Sequence, residues 1–147
     1  MSKGNLLIID DEPLLLKRMK LNLEEFADQV FTANDGLEAL EIFASEEIHC
    51  IICDINMPKM NGVEVIRAIR AKKSDVPFVF YTGHGNHDLM MEAAKHGAFD
   101  FLNKPDLDGL EDVISRGLKE GFRRNITEDD TLEDHISEYK KLLLQLD

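Results

Sequence analysis

Basic residues are scarce in this chain: 17 Lys and Arg stand against 29 Asp and Glu, a formal net charge of −12. Nonspecific nucleic-acid binding and attachment to anionic membrane surfaces both need a basic footprint, so direct partners of either kind are argued against. The acidity itself reads as solubility. Long apolar runs are lacking as well. Leu6-Leu7-Ile8-Ile9 stops at Asp10, too short for a signal-peptide core and far short of a membrane span. Cysteine is limited to Cys50 and Cys53. Their C-x-x-C spacing suggests a redox motif, but on a strand residues three apart face opposite ways, so the thiols neither pair nor share a metal. Two buried, reduced cysteines of a cytoplasmic protein remain as the reading. His84 and His87 lack a third ligand at metal-site spacing and read as a solvated loop. Met57, Met60, Met90 and Met91 read as core and loop packing. No internal repeat or low-complexity segment is present.

What is present is the composition of a soluble globular domain, 44% hydrophobic and 31% charged over 147 residues, long enough for a core without staples. Five short apolar runs recur, at residues 6–9, 30–33, 50–53, 78–81 and 98–102. Their length and continuity suit strands of a parallel sheet covered on both faces. Helical spacing fills the intervals: Leu16, Met19, Leu23 and Phe26; Leu37, Leu40 and Ala44; Val63, Ile66 and Ile69; Met90, Ala93 and Ala94; Leu110, Ile114 and Leu118. Pro13 suits a first helical turn. Asn61 followed by Glu64 resembles a capping box. Pro77 opens the fourth strand and Gly97 closes the fourth helix. Strict βα alternation implies a doubly wound α/β domain with right-handed crossovers, over residues 1–124.

Ligands of open α/β sheets bind beyond the carboxyl ends of the strands, and here those ends carry chemistry. The first run ends in Asp10-Asp11-Glu12, the third in Asp54, the fourth in Tyr81-Thr82-Gly83, and the fifth leads to Asn103-Lys104-Pro105. Crowded carboxylates with room for water suit Mg2+. Lys104 supplies a compact positive charge for an anionic oxygen, and Thr82 a hydroxyl. Together they describe a site for phosphoryl transfer onto a carboxylate, where catalysis is positioning and charge neutralisation.

Four motifs, IIDDE at 8–12, CDINMPKMNG at 53–62, YTGHG at 81–85 and GAFDFLNKP at 97–105, resemble those of a response-regulator receiver domain of two-component signalling. The resemblance covers residues 5–124. It implies a flavodoxin-like five-stranded parallel sheet in the order 2-1-3-4-5, and a phosphoryl group passed from a histidine kinase or histidine phosphotransfer protein to Asp54. It further implies Mg2+ held by Asp11 and Asp54 directly, by the backbone carbonyl of Asn56, and by Asp10 through water. Lys104 matches the phosphate-contacting lysine, Thr82 the switch hydroxyl, and Phe101 the aromatic ring that follows it, here without the tyrosine hydroxyl of many relatives. His84 matches a variable position that tunes loss of the phosphoryl group. Pro105 follows a peptide bond that is cis in the family, and Gly62 closes the loop after Asp54. Asp106 stands where one DNA-binding subfamily has phenylalanine.

A haloacid-dehalogenase-type phosphatase also forms an aspartyl phosphate, but it needs a second aspartate where Asn56 stands. A flavin mononucleotide binder needs a Ser/Thr/Gly-rich phosphate loop after the first strand, which is missing. A receiver acting only as a binding module, without phosphorylation, conflicts with the full set of site residues. The output is either a downstream protein partner or an output domain fused in a longer protein. Residues 125–147 comprise an acidic linker and an amphipathic helix whose stripe is Leu132, Ile136, Tyr139, Leu143 and Leu146. A helix this short must bury its stripe to be stable, either back on the receiver or, the preferred expectation, against a second subunit or an output domain.

Overall fold

The computed structural model describes residues 2–83, 87–104, 108–125 and 144. Each apolar run forms a strand: β1 (Asn5–Ile9), β2 (Gln29–Ala33), β3 (Cys50–Cys53), β4 (Phe78–Thr82) and β5 (Asp100–Asn103). Helices α1 (Pro13–Leu23), α2 (Gly36–Ser45), α3 (Gly62–Ala71), α4 (His87–Lys95) and α5 (Asp108–Asn125) alternate with them. All pairings are parallel, and the order is β2-β1-β3-β4-β5, as expected.

Because side chains alternate along each strand, the sheet divides the core into two layers. Leu7, Ile9, Ile51, Cys53, Phe78 and Phe80 pack with residues of α2, α3 and α4. Leu6, Ile8, Cys50, Ile52, Val79 and Tyr81 pack with residues of α1 and α5. The two cysteines therefore lie on opposite faces, free and buried. Burial pushes the Cys50 thiol up to about 12. The Cys53 thiol is raised well above the usual range, by burial first and then by the charges of Asp54 and Asp10. Neither is a thiolate at neutral pH.

Local chemistry sets the helix ends. Pro13 occupies the first turn of α1. The Asp35 carboxylate and the Asn61 carboxamide oxygen accept from the backbone N–H of Glu38 and Glu64, at 2.8 and 3.0 Å, and cap α2 and α3. Gly97, with φ of +76°, takes the left-handed turn after α4, where its N–H donates to Ala94 O.

Four expectations need correction. The inward face of α2 is Gly36, Ala39, Leu40 and Phe43, whereas Leu37 is exposed, as is Ala44. A Cβ on Gly36 would meet Met60 Sδ at 2.6 Å, so Met60 fits only where α2 turns its smallest residue inward. Ala94 and Met91 of α4 are exposed; Met90 and Ala93 carry the contact. Helix α1 stops at Leu23, and Phe26 belongs to a following 3-10 turn, Glu24–Phe26. Strand β5 begins at Asp100, because residues 98 and 99 lead in from the Gly97 turn, with Phe99 N already bonded to Phe78 O. Pro105, His84, Asp106 and the stripe at 132–146 lie outside the described residues.

Arg70 ties three elements together near the end of α3. Its guanidinium donates to Ser74 O and Val76 O, ahead of β4, and to His96 O and Gly97 O, between α4 and β5. Charged donors to backbone carbonyls are among the stronger hydrogen bonds. Arg70→Met keeps the stem and removes the donors, and should lower stability by about 2 kcal/mol in urea unfolding. An unchanged midpoint would show that water replaces the clamp without cost.

Candidate functional site

Parallel register brings the strand ends together. Ile9 pairs with Cys53, so Asp10 and Asp54 emerge side by side, and Asp54 N donates to Ile9 O at 3.0 Å. Thr82 pairs with Asn103, and Lys104 N donates to Thr82 O at 2.9 Å. The Lys104 ammonium then reaches back across the sheet edge to Asp10 Oδ2 at 2.7 Å and Asp54 Oδ2 at 3.1 Å. Oxygens of Asp10, Asp11 and Asp54 all lie within 4.8 Å of one another. Asp10, Asp54 and Thr82 are buried, and Asp11 is exposed.

Electrostatics follow from that crowding. Burial raises the pKa of the Asp10 carboxyl, against lowering by the Lys104 hydrogen bond, the Glu12 amide and the Lys104 charge; the Asp54 charge adds to the rise. For Lys104 burial disfavours the ammonium, but the hydrogen bonds and charges of Asp10 and Asp54 outweigh it and the pKa rises. A single ammonium thus serves two carboxylates, and a third acid stands beside them. A hard divalent cation with oxygen ligands and retained waters fits this donor set.

Lys104 forms no ion pair with Asp11 among the described residues, so with chelator present repulsion from the Asp10 and Asp54 carboxylates outweighs any attraction Asp11 gains. Asp11→Ala should then raise the stability of the metal-free protein by about 0.5 kcal/mol, the scale of an exposed charge interaction, against the usual sign for a substitution. Thermal melting in chelator checks this; a clear drop in Tm would refute the crowding.

The loop after β3 is shaped by contacts to its backbone. Asn56 N approaches Asp54 Oδ1 at 3.4 Å, while Gly62 N donates to Ile55 O at 2.9 Å. Gly62 packs so closely that a Cβ there would lie 2.5 Å from Asp54 O and 2.8 Å from Phe80 Cε1. Phe101 is half-buried and already stacks on Phe80, centroids 5.5 Å apart and planes at 16°. Two further groups approach the site without having been assigned a role in it: Cys53 Sγ, 3.1 Å from Asp54 O, and the Tyr81 ring, 5.9 Å from the Lys104 ammonium. Both are core residues whose approach to the site depends on strand register. His84 and Pro105, expected beside the site, lie outside the described residues.

The response regulator receiver domain family matches residues 6–115. The chain belongs to that family. The C4-dicarboxylate transport transcriptional regulatory protein DctD of Pseudomonas aeruginosa is 32% identical over 96% of this chain. The transcriptional regulatory protein FixJ of Bradyrhizobium diazoefficiens is 30% identical over 81%. The chain spans only 30% of DctD and 58% of FixJ. A crystal structure of a receiver domain protein from Clostridium thermocellum matches 83% of this chain and 96% of its own, at 32% identity and a TM-score of 0.71. The flavodoxin-like receiver fold is therefore shared, and receiver domains of this family are two-component signalling domains that bind Mg2+ at an acidic pocket. Among the described residues no helix is long and apolar enough to cross a membrane.

Proposed function

We propose that Asp54 accepts a phosphoryl group from a phosphohistidine of a histidine kinase or histidine phosphotransfer protein, and that the receiver then changes its partner-binding face. The observation that supports this most is the convergence on Asp54: Lys104 Nζ at 3.1 Å, with Asp10 and Asp11 oxygens within 4.8 Å. An Asp54 carboxylate oxygen forms the new P–O bond as the P–N bond breaks, and the departing imidazole nitrogen keeps the electron pair. Lys104 neutralises the incoming phosphoryl oxygens, giving up part of its contact with Asp10 and Asp54. Asp10, Asp11, Asp54 and the Asn56 carbonyl would hold Mg2+, which supplies further neutralisation of charge on the transferred group. The chain is in this reading a cytoplasmic signalling domain that assists its own phosphorylation and dephosphorylation, not an enzyme with a separate substrate. Residues 1–124 act as the receiver, and 125–147 as linker and amphipathic helix. The output is either a partner protein that binds the changed face or a fused domain of the kind for which DctD and FixJ have length to spare.

Incubation with acetyl phosphate should label the chain in the presence of Mg2+ and not in chelator. Labelling at equal rates in both would overturn the metal's part. The switch is carried by Thr82, buried at the end of β4, and by Phe101 on β5. Beryllofluoride, as a phosphoryl mimic, should shift the Phe101 ring resonances in the wild type and leave them in place in Thr82→Ala, as expected of a two-state element biased by charge at one end. An unmoved ring in the wild type would remove the mechanism.

A further inference from the structure

On the face of the sheet that carries α1 and α5, at the end remote from Asp54, a cavity of about 560 Å³ opens between α5 and the 3-10 turn. Its apolar lining comes from Phe26, Leu118 and Phe122; Lys3, Lys119 and Arg123 stand around it, with Glu25 the one acid among its lining residues. Ser115, Leu118, Lys119, Phe122 and Arg123 follow one another by three and one, so they form a single stripe along the last turns of α5. Leu118 is buried, but Phe26 and Phe122 remain part-exposed. Nothing in the phosphoryl site uses this groove.

We propose that the groove is the docking site of this chain's own C-terminal segment, residues 131–146, which folds back along α5. Three observations select that occupant. The wall of the groove ends where α5 ends, at Asn125, so the next residues start beside it. Residues 126–130 span up to about 17 Å when extended, and five residues suit the turn of an αα-hairpin. The apolar stripe of the segment also matches in length: from Leu132 to Tyr139 a helix rises by about 10 Å, and the groove stripe from Ser115 to Arg123 by about 12 Å. Charge is complementary too. Glu128, Asp129, Asp130, Glu133 and Asp134 lead the segment, opposite Lys3 and Lys119 of the groove, with Arg123 beside them already paired to Glu120 and Glu25 the one acid of the lining. Docking there would bury Leu132, Ile136 and Tyr139 on Phe26, Leu118 and Phe122, giving the stripe an intramolecular partner in place of the second subunit or output domain expected from the sequence.

The test is hydrogen exchange on the full chain at two concentrations at least tenfold apart, with molecular mass by light scattering. The expected result is a monomer in which backbone amides of 132–143 exchange at least about tenfold more slowly than unstructured chain, equally at both concentrations. Ile136→Asp should abolish that protection while leaving the exchange of β1 and β3 unchanged, and Lys119→Glu, at an exposed position, should weaken it. Unprotected amides in the wild type would overturn the proposal. So would protection that rises with concentration together with a dimer mass, which would assign the stripe to a second copy. Protection that survives both substitutions would equally sink it, by placing the segment elsewhere.

Discussion

Asp54→Asn should take up no label from acetyl phosphate and Mg2+, a loss of at least about a thousandfold, the scale on which removing a nucleophile is felt. The substitution keeps the shape of the side chain and removes only its charge and nucleophilicity, so folding is not in question. It also leaves Asp10 and Asp11 in place, and the geometry explains why they do not substitute. Asp10 has one oxygen on Lys104 at 2.7 Å and the other on the Glu12 amide at 2.9 Å. Asp54 is held more loosely, by Lys104 at 3.1 Å and by a long contact from Asn56 N at 3.4 Å. Asp11 is exposed and forms no ion pair with Lys104 among the described residues. Only Asp54 therefore combines a less engaged oxygen with an ammonium beside it. Mass-spectrometric mapping of the wild type should find one site, and label at Asp10 or Asp11 in the variant at wild-type yield would overturn the assignment.

The site was legible in the sequence because parallel topology converts order along the chain into position in space. Once the apolar runs are strands of one parallel sheet, every residue just after a run lies at the same edge, and Asp10, Asp54, Thr82 and Lys104 are all such residues. Sidedness of the cysteines follows from the same alternation. Helix faces were less legible. On α2 the stripe Leu37, Leu40, Ala44 and the face Gly36, Ala39, Leu40, Phe43 both fit helical periodicity, and the choice was made by a contact from Met60, on a distant loop. The start of β5 was displaced for a related reason: apolar character runs through residues 98 and 99, while ladder pairing begins only after the chain has left the Gly97 turn. Arg70 was invisible to periodicity because its four acceptors are backbone carbonyls on segments that no pattern links to it.

Gly62→Ala should be the most damaging of the small substitutions at the site. The φ of Gly62 is not positive, so the cost is not conformational; alanine in a first helical turn would otherwise be favoured over glycine by up to about 1 kcal/mol. The cost is steric. The added methyl would stand 2.5 Å from Asp54 O, 2.8 Å from Phe80 Cε1 and 3.0 Å from Ile55 Cα. Two of the three are backbone atoms, which no rotamer change relieves, and the third is a ring wedged between Phe78 and Phe101. Overpacking of this kind typically costs 1–3 kcal/mol and occasionally more, so a net loss of about 3 kcal/mol is expected, seen as a lower urea midpoint. Relief requires α3 to retreat or the Asp54 backbone to shift, and the second moves the acceptor relative to Lys104. A displacement near 1 Å is enough for about a hundredfold loss in rate. Labelling by acetyl phosphate, measured where the variant is fully folded, should thus fall well beyond what stability explains. Gly117→Ala provides the comparison, since its methyl would crowd only Cys50 Sγ, at 2.7 Å, on the opposite layer of the core, with Cys50 Cβ and Phe99 Cε2 in ordinary contact at 3.9 Å. It should lose stability but keep the wild-type labelling rate. Equal labelling rates in the two variants would show that Gly62 serves packing alone and does not set the position of Asp54.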